Sequence, residues 1–406
     1  MKRKLKVQHK QPAVIVNSNN PMALGVIRGL GRWRIPILAV FGTSKSNNLF
    51  HYIVKYSRFI TQKYFFSEDN YESNLLECLF SIGKNLDQKA ALFPTSDIDM
   101  EIISKNRKEL SYYFLFKMPS HETNNMLLNK HLFYKYAIQH HISIPRTFFP
   151  EDPSEIFSIA REVRYPCIIK PSWRKAKWFE IYGSKKVIIV HSVRELVRNF
   201  NRGIDLFDHC IIQEIIPGDE TNILCSFTIL DENSDPLCLF ICKKIRQYPP
   251  HFGNTSMAQS VWNPIVADIT RSVSKKLHLK GYINIEFKKD PEGDTFKILE
   301  ITPSRVNRQA GLSISAGINI FKIWYDFLTK KELKYTDTYS LGVKWISEVS
   351  ELQSFPEYLR NQEYNIFQWI KTYKNVKGFE ILSKDDLLPF ICVFPSYLLR
   401  VFRLLR

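Results

Sequence analysis

Two glutamates on a predicted hairpin have a spacing that could hold a divalent cation. In the segment INIEFKKD, side chains alternate between the two faces of a strand, so Glu286 shares a face with Asn284. A turn centred on Gly293 would place Glu300, from the segment KILEITPS, directly opposite Glu286. Two carboxylates that face each other across a sheet repel, and a divalent cation would reverse that penalty. The hairpin therefore predicts a magnesium site, since magnesium takes one or two carboxylates together with substrate phosphates.

Several cations follow apolar runs in a way that suits a phosphate ligand. Lys170 closes the run YPCIIK, and Lys130 opens a predicted helix in a separate segment. Lys244 and Arg246 end a third run, in KKIRQYPPHFG. Each of these alone could be a solvated terminal charge, and Lys288 could likewise compensate the glutamates on an ordinary sheet face. Taken together with two facing carboxylates, they predict a polyphosphate–magnesium site.

The first 120 residues alternate strand and helix signals. Short apolar runs at 13–16, 35–41 and 92–93 predict strands, and the pattern over 22–30 predicts a helix. This order indicates a parallel α/β unit, in which the loop 17–21 would lie at the carboxyl end of a strand, where such folds bind ligands. The loop lacks the glycines of a GxGxxG dinucleotide site, so an ordinary strand-to-helix turn is the alternative.

From about residue 130 the pattern changes to mixed strands and helices. Helices are predicted over residues 130–141, 193–200 and 265–277. Strands are predicted over residues 167–170, 186–191, 210–216, 222–230, 237–246, 281–288 and 295–302. The last four strands are expected to form two antiparallel pairs.

Composition bounds the class of protein. The chain has 406 residues, of which 45% are apolar and 24% charged, so we expect two or three globular domains and exclude disordered, collagen-like and small disulfide-framed proteins. Lysine plus arginine is 57 against 40 for aspartate plus glutamate, and the net charge of +17 favours an anionic partner. The basic excess is spread along the chain without a nucleic-acid motif, so we expect no nucleic-acid partner.

The cysteines and the absence of long apolar runs predict a cytoplasmic protein. The seven cysteines are odd in number and form no CxxC pair, which favours buried free thiols in a reducing compartment. No run reaches the roughly 18 apolar residues of a transmembrane helix, and no signal-peptide stretch follows the basic start MKRKLKVQHK.

The order of these segments resembles the ATP-grasp superfamily over roughly residues 10–330. YPCIIKPS resembles the family's second-lysine strand, IIQEIIPGDE its adenine and ribose strand, and LEITPSR its last metal strand. Asn129-Lys130 and the later HISIP resemble the family's opening, with Asn129 in place of aspartate. RQYPPHFG, GVKWI and DDLLP are similar to a bacterial subgroup of predicted carboxylate–amine ligases that includes D-aspartate ligase. The collinear order carries the resemblance, because no single motif is decisive.

The resemblance implies an α/β fold that becomes α+β in the grasp domain. A Rossmann-like pre-ATP-grasp domain would occupy residues 1–120. An ATP-grasp domain of two α+β subdomains would follow over 121–330, with its lid subdomain at about 131–212. Residues 331–406, which are rich in aromatics, would form a small C-terminal appendage.

The family's roles carry over to the matching positions of this chain. ATP would be bound by Lys130 and Lys170 at the α/β phosphates, by Gln213, Glu214 and Ile216 at the adenine, and by Asp219 or Glu220 at the ribose. Magnesium, or manganese in its place, would be held by Glu286, Glu300 and Thr302. The catalytic residues would be Lys244 and Arg246, facing the phosphates or the bound acid, and Arg305 or Arg308, at the γ-phosphate or acyl phosphate.

The chain departs from the family pattern at three places. Thr302 replaces the usual asparagine ligand, and a hydroxyl is a weaker magnesium donor than an amide oxygen. Ser304 lies in an inserted-looking position before the arginines. The loop 172–184, which would close over the nucleotide, is poor in glycine, and its Trp173, Trp178 and Phe179 would instead cover a bulky ligand.

The expected activity is a carboxylate–amine ligase that works through an acyl phosphate and converts ATP to ADP and phosphate. Biotin-dependent carboxylation is a second enzyme reading, although nothing in the chain resembles a biotinyl-acceptor segment. The alternative from another class is a regulator of the same fold that binds ATP without turnover, which Thr302 keeps open. A nucleic-acid or anion-surface binder is the third reading.

The expected partners are a small-molecule carboxylate and an amine, with a homodimer as one assembly. The segment SYLLRVFRLLR, residues 396–406, carries an arginine stripe on an otherwise apolar helix. This tail either docks on the protein or a second subunit, or lies in a membrane interface, which would make the protein membrane-peripheral.

Overall fold

The structure is a computed structural model that describes residues 10–43, 49–173, 176–183, 185–293 and 295–393. The tail 396–406, with its predicted membrane contact, lies outside the described residues. Within the described ranges, none of the helices has the length and apolar character needed to cross a membrane. None of the seven cysteines, all within the described ranges, forms a disulfide, and five of them are buried, as the sequence predicts.

The N-terminal part is a five-stranded parallel sheet in the order β3-β2-β1-β4-β5. Its strands are β1 (Ala13–Val16), β2 (Ile37–Thr43), β3 (Gln62–Ser67), β4 (Ala90–Pro94) and β5 (Phe114–Leu115). Its helices are α1 (Ala23–Gly31), α2 (Tyr71–Lys84), α3 (Asp97–Lys105) and α4 (Arg107–Leu110), with a 3-10 helix at Leu49–Tyr56. The inner strands are apolar on both faces because each face packs on a separate core. The predicted α/β unit is confirmed.

A small antiparallel sheet follows, in the order β6-β9-β7-β8. Its strands are β6 (Thr147–Phe148), β7 (Cys167–Pro171), β8 (Ile188–Val190) and β9 (Cys210–Glu214). The helices of this region are α5 (His121–Leu128), α6 (Lys130–Gln139), α7 (Ile156–Glu162), α8 (Ala176–Tyr182) and α9 (Val193–Arg202), with 3-10 helices at Pro153–Glu155 and Ile204–His209. The small sheet and helices α7 to α9 enclose a core of their own. Helices α5 and α6 pack instead on the core of the large sheet.

The largest sheet has seven strands in the order β14-β13-β10-β11-β12-β15-β16. The strands are β10 (Ile223–Leu230), β11 (Pro236–Tyr248), β12 (Asn254–Ser260), β13 (Gly281–Asp290), β14 (Thr295–Pro303), β15 (Lys344–Ile346) and β16 (Val376–Phe379). The helices are α10 (Pro264–Lys276), α11 (Gly311–Ser315), α12 (Ile320–Leu328), α13 (Glu348–Arg360) and α14 (Ile366–Thr372), with 3-10 helices at Glu220–Asn222 and Arg308–Ala310. Both predicted antiparallel pairs are present.

The C-terminal region is built into this sheet rather than attached beside it. β15 pairs with β12, and β16 pairs with β15, so the sheet is completed by residues beyond 330. The same region is tied to helix α1 of the N-terminal part by a buried ion pair in which Arg28 Nε lies 2.8 Å from Asp386 Oδ2. A buried ion pair of this kind holds two elements together, because losing either partner leaves an uncompensated charge. The domain limits expected from the sequence stay a prediction.

Candidate active site

A cleft of about 590 Å³ is lined by residues of the N-terminal, small and large sheets and of their loops. Eleven of the fourteen residues proposed from the sequence line this cleft: Lys130, Lys170, Gln213, Glu214, Ile216, Lys244, Glu286, Glu300, Thr302, Arg305 and Arg308. Residues more than 170 positions apart in the chain thus meet in one place. The three that the structure places elsewhere are Arg246, Asp219 and Glu220.

Glu286 and Glu300 are direct cross-strand neighbours, as the sequence predicts. The turn itself is not centred as expected, because Asp290 pairs with Thr295. The register then shifts beyond Phe287, so that one extra residue in β14, Leu299, moves Glu300 opposite Glu286. Such a bulge re-aims the side chains that follow it. The facing carboxylates therefore depend on the bulge as well as on the turn.

The electrostatic field of the cleft keeps Glu300 ionised. The cation of Lys130 lowers the pKa of Glu300 to about 2, with further lowering by Arg305 and Lys170, although partial desolvation inside the cleft opposes the shift. Glu300 itself is exposed to the cleft. An ionised and accessible carboxylate is the form that binds a divalent cation.

Lys244 neutralises the second carboxylate. Its Nζ lies 2.8 Å from Glu286 Oε2 and donates to Gln247 Oε1 at 3.1 Å. Burial alone would lower the pKa of Lys244, but the carboxylate of Glu286 raises it above its ordinary value. Lys244 is therefore charged at neutral pH and faces the carboxylate pair, within reach of a phosphate group bound there.

Lys170 is held at the floor of the cleft by polar partners from two other elements. It lies near the end of β7, and its Nζ donates to Tyr134 Oη at 2.9 Å and to Gln213 Oε1 at 2.8 Å. Gln213 in turn donates to Thr147 Oγ1 at 2.7 Å, which fixes its amide. Burial, followed by repulsion from Lys130, lowers the pKa of Lys170 to about 7. An anion in the cleft would offset this cost, since it stabilises the charged form of a lysine.

Lys130 is placed by the cap of the helix that it opens. Asn129 is the N-cap of α6, and its Oδ1 accepts from His131 N at 3.0 Å and from Leu132 N at 3.3 Å. The backbone N–H of Lys130 donates to Ser172 O at 3.0 Å, which links α6 to the end of β7. The asparagine that departs from the family pattern therefore serves as a helix cap, a role that it fills as well as aspartate does.

The residues expected at the adenine lie together at the end of β9. Gln213 and Glu214 end the strand, and Ile216 follows it, all three at the cleft. Glu214 Oε1 accepts from the backbone N–H of Arg164 at 3.0 Å. The strand end thus presents both an apolar and a polar side chain to the cleft.

Both arginines after β14 reach the cleft in spite of the extra residue. Ser304 takes a left-handed conformation with φ of 59°, and its N–H donates to Tyr282 O at 2.6 Å. This turn accommodates the extra residue that precedes Arg305. Arg305 then forms an ion pair with Asp97 at the start of α3, and Arg308 Nε lies 3.0 Å from Glu380 Oε1.

The structure places Arg246 in a buried ion pair away from the cleft. Lys244 pairs with Ala258 and Arg246 with Met257, so a bulge in β11 directs the two cations to opposite faces of the sheet. Arg246 Nη2 lies 2.5 Å from Glu351 Oε2, and the side chain is fully buried. Its guanidinium carbon lies 3.8 Å from the centre of the Trp369 ring. The expectation that Arg246 faces the phosphates is therefore corrected.

The acidic pair expected at the ribose also lies outside the cleft lining. Glu220 Oε1 accepts from Tyr358 Oη at 2.8 Å and lies 3.2 Å from His251 Nδ1, while His251 Nε2 lies 3.2 Å from Glu363 Oε1. Burial would raise the pKa of Glu220, but the hydrogen bonds from His251 and Tyr358 bring it to about 2. Asp219 caps the 3-10 helix by accepting from Thr221 N at 2.9 Å. His251, which sequence reasoning did not single out, lines the cleft in their place.

The closing loop contributes less to the cleft than expected. Trp173 lines the cleft, but Trp178 is buried in the core of the small sheet and its Nε1 donates to Lys185 O at 2.8 Å. The expectation that Trp178 covers a ligand is therefore corrected. The side chain of Phe179 lies outside the described residues.

Two further polar residues, which the sequence patterns did not indicate, line the cleft. Lys186 extends from the small-sheet region to Asn254, to whose Oδ1 it donates at 2.6 Å. Asn307 lines the cleft with a buried Oδ1 that has no hydrogen-bond partner in the described part of the chain. A single sequence gives no spacing signal for either residue, because both meet the cleft through tertiary contacts.

The donor set of the cleft fits a magnesium ion. Two carboxylates face each other, and a hydroxyl from Thr302 lies on the same strand face. These are oxygen donors, which magnesium prefers, and the neighbouring lysines suit the phosphates that usually complete its coordination. A site with two carboxylates and several cations can bind a nucleotide polyphosphate and stabilise charge that develops during its transfer.

The comparisons with known proteins agree with this architecture. No family model matches the chain. The chain is 23% identical over 244 residues to a D-aspartate ligase of Enterococcus faecium, covering 57% of this chain and 57% of that protein. It thus spans just over half the length of that curated relative. The comparison with solved structures extends over more of the chain.

Two solved structures illustrate that wider likeness. The biotin carboxylase of Campylobacter jejuni gives a TM-score of 0.62 at 12% identity and covers 83% of this chain and 75% of its own. The N5-carboxyaminoimidazole synthetase of Staphylococcus aureus, solved with ADP, gives 0.62 at 11% identity and covers 87% and 88%. At such low identity the likeness is one of fold.

Proposed function

We propose that this chain, which has the ATP-grasp fold, is an ATP- and magnesium-dependent ligase that joins a carboxylate to an amine. The observation that carries the proposal is the meeting of Glu286 and Glu300 in one cleft with five lysines, at positions 130, 170, 186, 244 and 288. Glu286, Glu300 and Thr302 would hold magnesium, which would neutralise phosphate charge when bound. Manganese could take the same oxygen donors.

The nucleotide would lie with its phosphates over the lysines. Lys130 and Lys170 would bind the α/β phosphates, and Gln213, Glu214 and Ile216 would contact the adenine. The residues that the structure keeps outside the cleft, Arg246, Asp219 and Glu220, have no direct role in this proposal. His251 lines the cleft beside Glu220, so we assign the ribose side of the cleft to His251.

The reaction would take place in two steps. An oxygen of the substrate carboxylate attacks the γ-phosphorus of ATP, and the bond to the β-phosphate oxygen breaks, which gives ADP and an acyl phosphate. The amine then attacks the acyl carbon and loses a proton, and inorganic phosphate leaves as the amide forms. Lys244, Arg305 and Arg308 would stabilise the charge that develops on the transferred group. The closed cleft would keep water from the acyl phosphate.

The first test is calorimetric titration of the protein with magnesium-ATP, compared with the Glu300→Ala variant. Tight binding that requires both magnesium and Glu300 supports the proposal, and absence of binding by a folded sample contradicts it. Screening of acids and amines for ADP release should follow, with D-aspartate as the first acid because a relative of this chain is a D-aspartate ligase.

A non-catalytic nucleotide-binding regulator is the second candidate, and Thr302 is the observation that favours it. If its hydroxyl were the weakest donor of the set, the site could bind nucleotide without efficient phosphoryl transfer. Magnesium-ATP binding without ADP release for any acid and amine tested would support this candidate over the ligase.

Assembly and membrane contact are separate proposals. A homodimer would be detected by sedimentation. Contact of residues 396–406 with a membrane would be detected by liposome flotation of the chain with and without that segment.

A further inference from the structure

Four side chains on one face of the β13–β14 hairpin form a compact square. Glu286 pairs with Glu300, and two residues deeper along the strands Asn284 pairs with Thr302. The register is regular between these two pairs. Residues two apart on a strand share a face, and directly opposite residues have Cβ atoms about 4.5–5.5 Å apart. An amide therefore lies next to both carboxylates and the hydroxyl.

The amide of Asn284 has its oxygen turned away from the neighbouring strand β10. Its Nδ2 donates to the backbone oxygen of Ser226 at 2.9 Å. A carbonyl oxygen can only accept a hydrogen bond, so the amide nitrogen must face Ser226 and Oδ1 must face the other way. In the described part of the chain Oδ1 has no hydrogen-bond donor, while Asn284 lines the cleft and is 4% exposed.

This geometry supplies the donor that Thr302 lacks. A hydroxyl is the weaker oxygen donor at position 302, whereas an amide oxygen lies directly across the hairpin from it. Resting on the proposed function, we infer that Asn284 Oδ1 is the neutral oxygen donor of the magnesium site, beside Glu286 and Glu300. The hydrogen bond to Ser226 orients this donor, as outer hydrogen bonds commonly orient metal ligands.

Asn307 is the rival donor and provides a matched control. It is also a cleft asparagine with a buried Oδ1 that has no partner among the described residues. It lies after the end of β14, however, beyond the turn at Ser304, and so outside the square on the hairpin face. Comparing variants of the two asparagines therefore distinguishes a metal donor on the carboxylate face of the hairpin from one elsewhere in the same cleft.

The test is the affinity for Mn²⁺ in the presence of ADP, measured by electron paramagnetic resonance of the free ion. We expect Asn284→Ala to weaken Mn²⁺ binding by about tenfold or more. Asn307→Ala should leave the affinity within about twofold of wild type. Adding Thr302→Asn to Asn284→Ala should restore most of the affinity, because it returns an amide to the same square.

A second variant separates ligation from a structural role. Asn284→Asp also loses the orienting hydrogen bond to Ser226 but retains an oxygen and adds a negative charge. A metal ligand therefore predicts a higher Mn²⁺ affinity than in Asn284→Ala, whereas a structural residue predicts the same loss as alanine. Thermal unfolding of each variant verifies that it is folded. Wild-type affinity in Asn284→Ala, or equal loss in Asn284→Asp, overturns the inference alone. No Mn²⁺–ADP binding by the wild type overturns the proposed function together with it.

Discussion

Glu286 and Glu300 are cross-strand neighbours whose negative charges are balanced by different cations. Lys244 pairs with Glu286 at 2.8 Å, whereas Lys130 makes the largest contribution to the low pKa of Glu300. Like charges directly opposite each other destabilise a hairpin, so the surrounding cations are needed to keep the pair in place. The cleft therefore places two carboxylates that suit a metal ion next to cations that suit phosphate groups.

Replacing Glu300 by glutamine should remove magnesium-dependent nucleotide binding. The amide keeps the size of the side chain but removes one of the two charges that would hold the ion, so we expect a loss on the order of 100-fold in magnesium-ATP affinity. Calorimetry in the presence and absence of magnesium measures this change.

The control for Glu300→Gln is Glu292→Gln on the same hairpin. Glu292 is exposed and pairs with Arg164 at 2.6 Å, and a surface pair of this kind contributes little. Its replacement should leave nucleotide binding unchanged. Equal losses in the two variants would mean that the hairpin, and not the carboxylate pair, is what binding requires.

Lys170 should make nucleotide binding depend on pH. Its pKa is about 7 in the free protein, so the charged form predominates only below that pH. A bound phosphate stabilises the charged form and raises this pKa, so ADP affinity should be constant below pH 7 and fall by up to about tenfold per unit above it. Titration of ADP binding between pH 6 and about 9 tests this.

A Lys170→Arg variant separates Lys170 from other titrating groups. Arginine stays protonated throughout this range, so the fall in ADP affinity above pH 7 should disappear. An unchanged pH profile in this variant would assign the titration to another residue of the cleft.

Loss of Arg246 should reduce stability rather than nucleotide binding. In Arg246→Met the buried carboxylate of Glu351 has no counter-charge, which should cost about 3–5 kcal/mol in the free energy of unfolding. Urea unfolding measures this cost, and ADP affinity of the folded variant should stay within about twofold of wild type.

Adding Glu351→Gln to Arg246→Met should recover most of that stability. The amide is neutral and can keep hydrogen bonds to Ser256 and Tyr373, which lie 2.7 and 3.0 Å from the present carboxylate. If Arg246→Met were stable but no longer bound ADP, the result would contradict this prediction and show that Arg246 contributes to nucleotide binding.

His251 should stabilise the fold at low pH and lose this effect as the pH rises. The carboxylate of Glu220, and then that of Glu363, raises the pKa of His251 above its ordinary value of 6.5. A raised pKa in the folded state contributes stability that is complete below 6.5 and disappears as the pH passes through the folded value. Urea unfolding at pH 6 and about 9 should therefore show a smaller pH-dependent loss in His251→Asn than in wild type.

The carboxylate hairpin shows how much of the site a local sequence pattern can predict. Alternation along β13 placed Ile283, Ile285 and Phe287 in a core and Glu286 on the other face, as predicted. The pairing with Glu300 was also predicted, yet it arises from a turn offset and a compensating bulge at Leu299. A bulge depends on neighbouring contacts, such as the hydrogen bond from Tyr134 Oη to Leu299 O at 2.6 Å, and these join residues far apart in the chain.

The sequence by itself predicted the strand and helix order, the fold and eleven of the residues that line the cleft, because periodicity and motif order can be read along the chain. Only the tertiary structure decided that Arg246 points away from the cleft and that Glu220 is buried. It also decided that β15 and β16 pair with the other strands of the large sheet. A strand pattern specifies only which residues alternate. A bulge, a buried counter-charge or an added edge strand then selects the direction in which each side chain points.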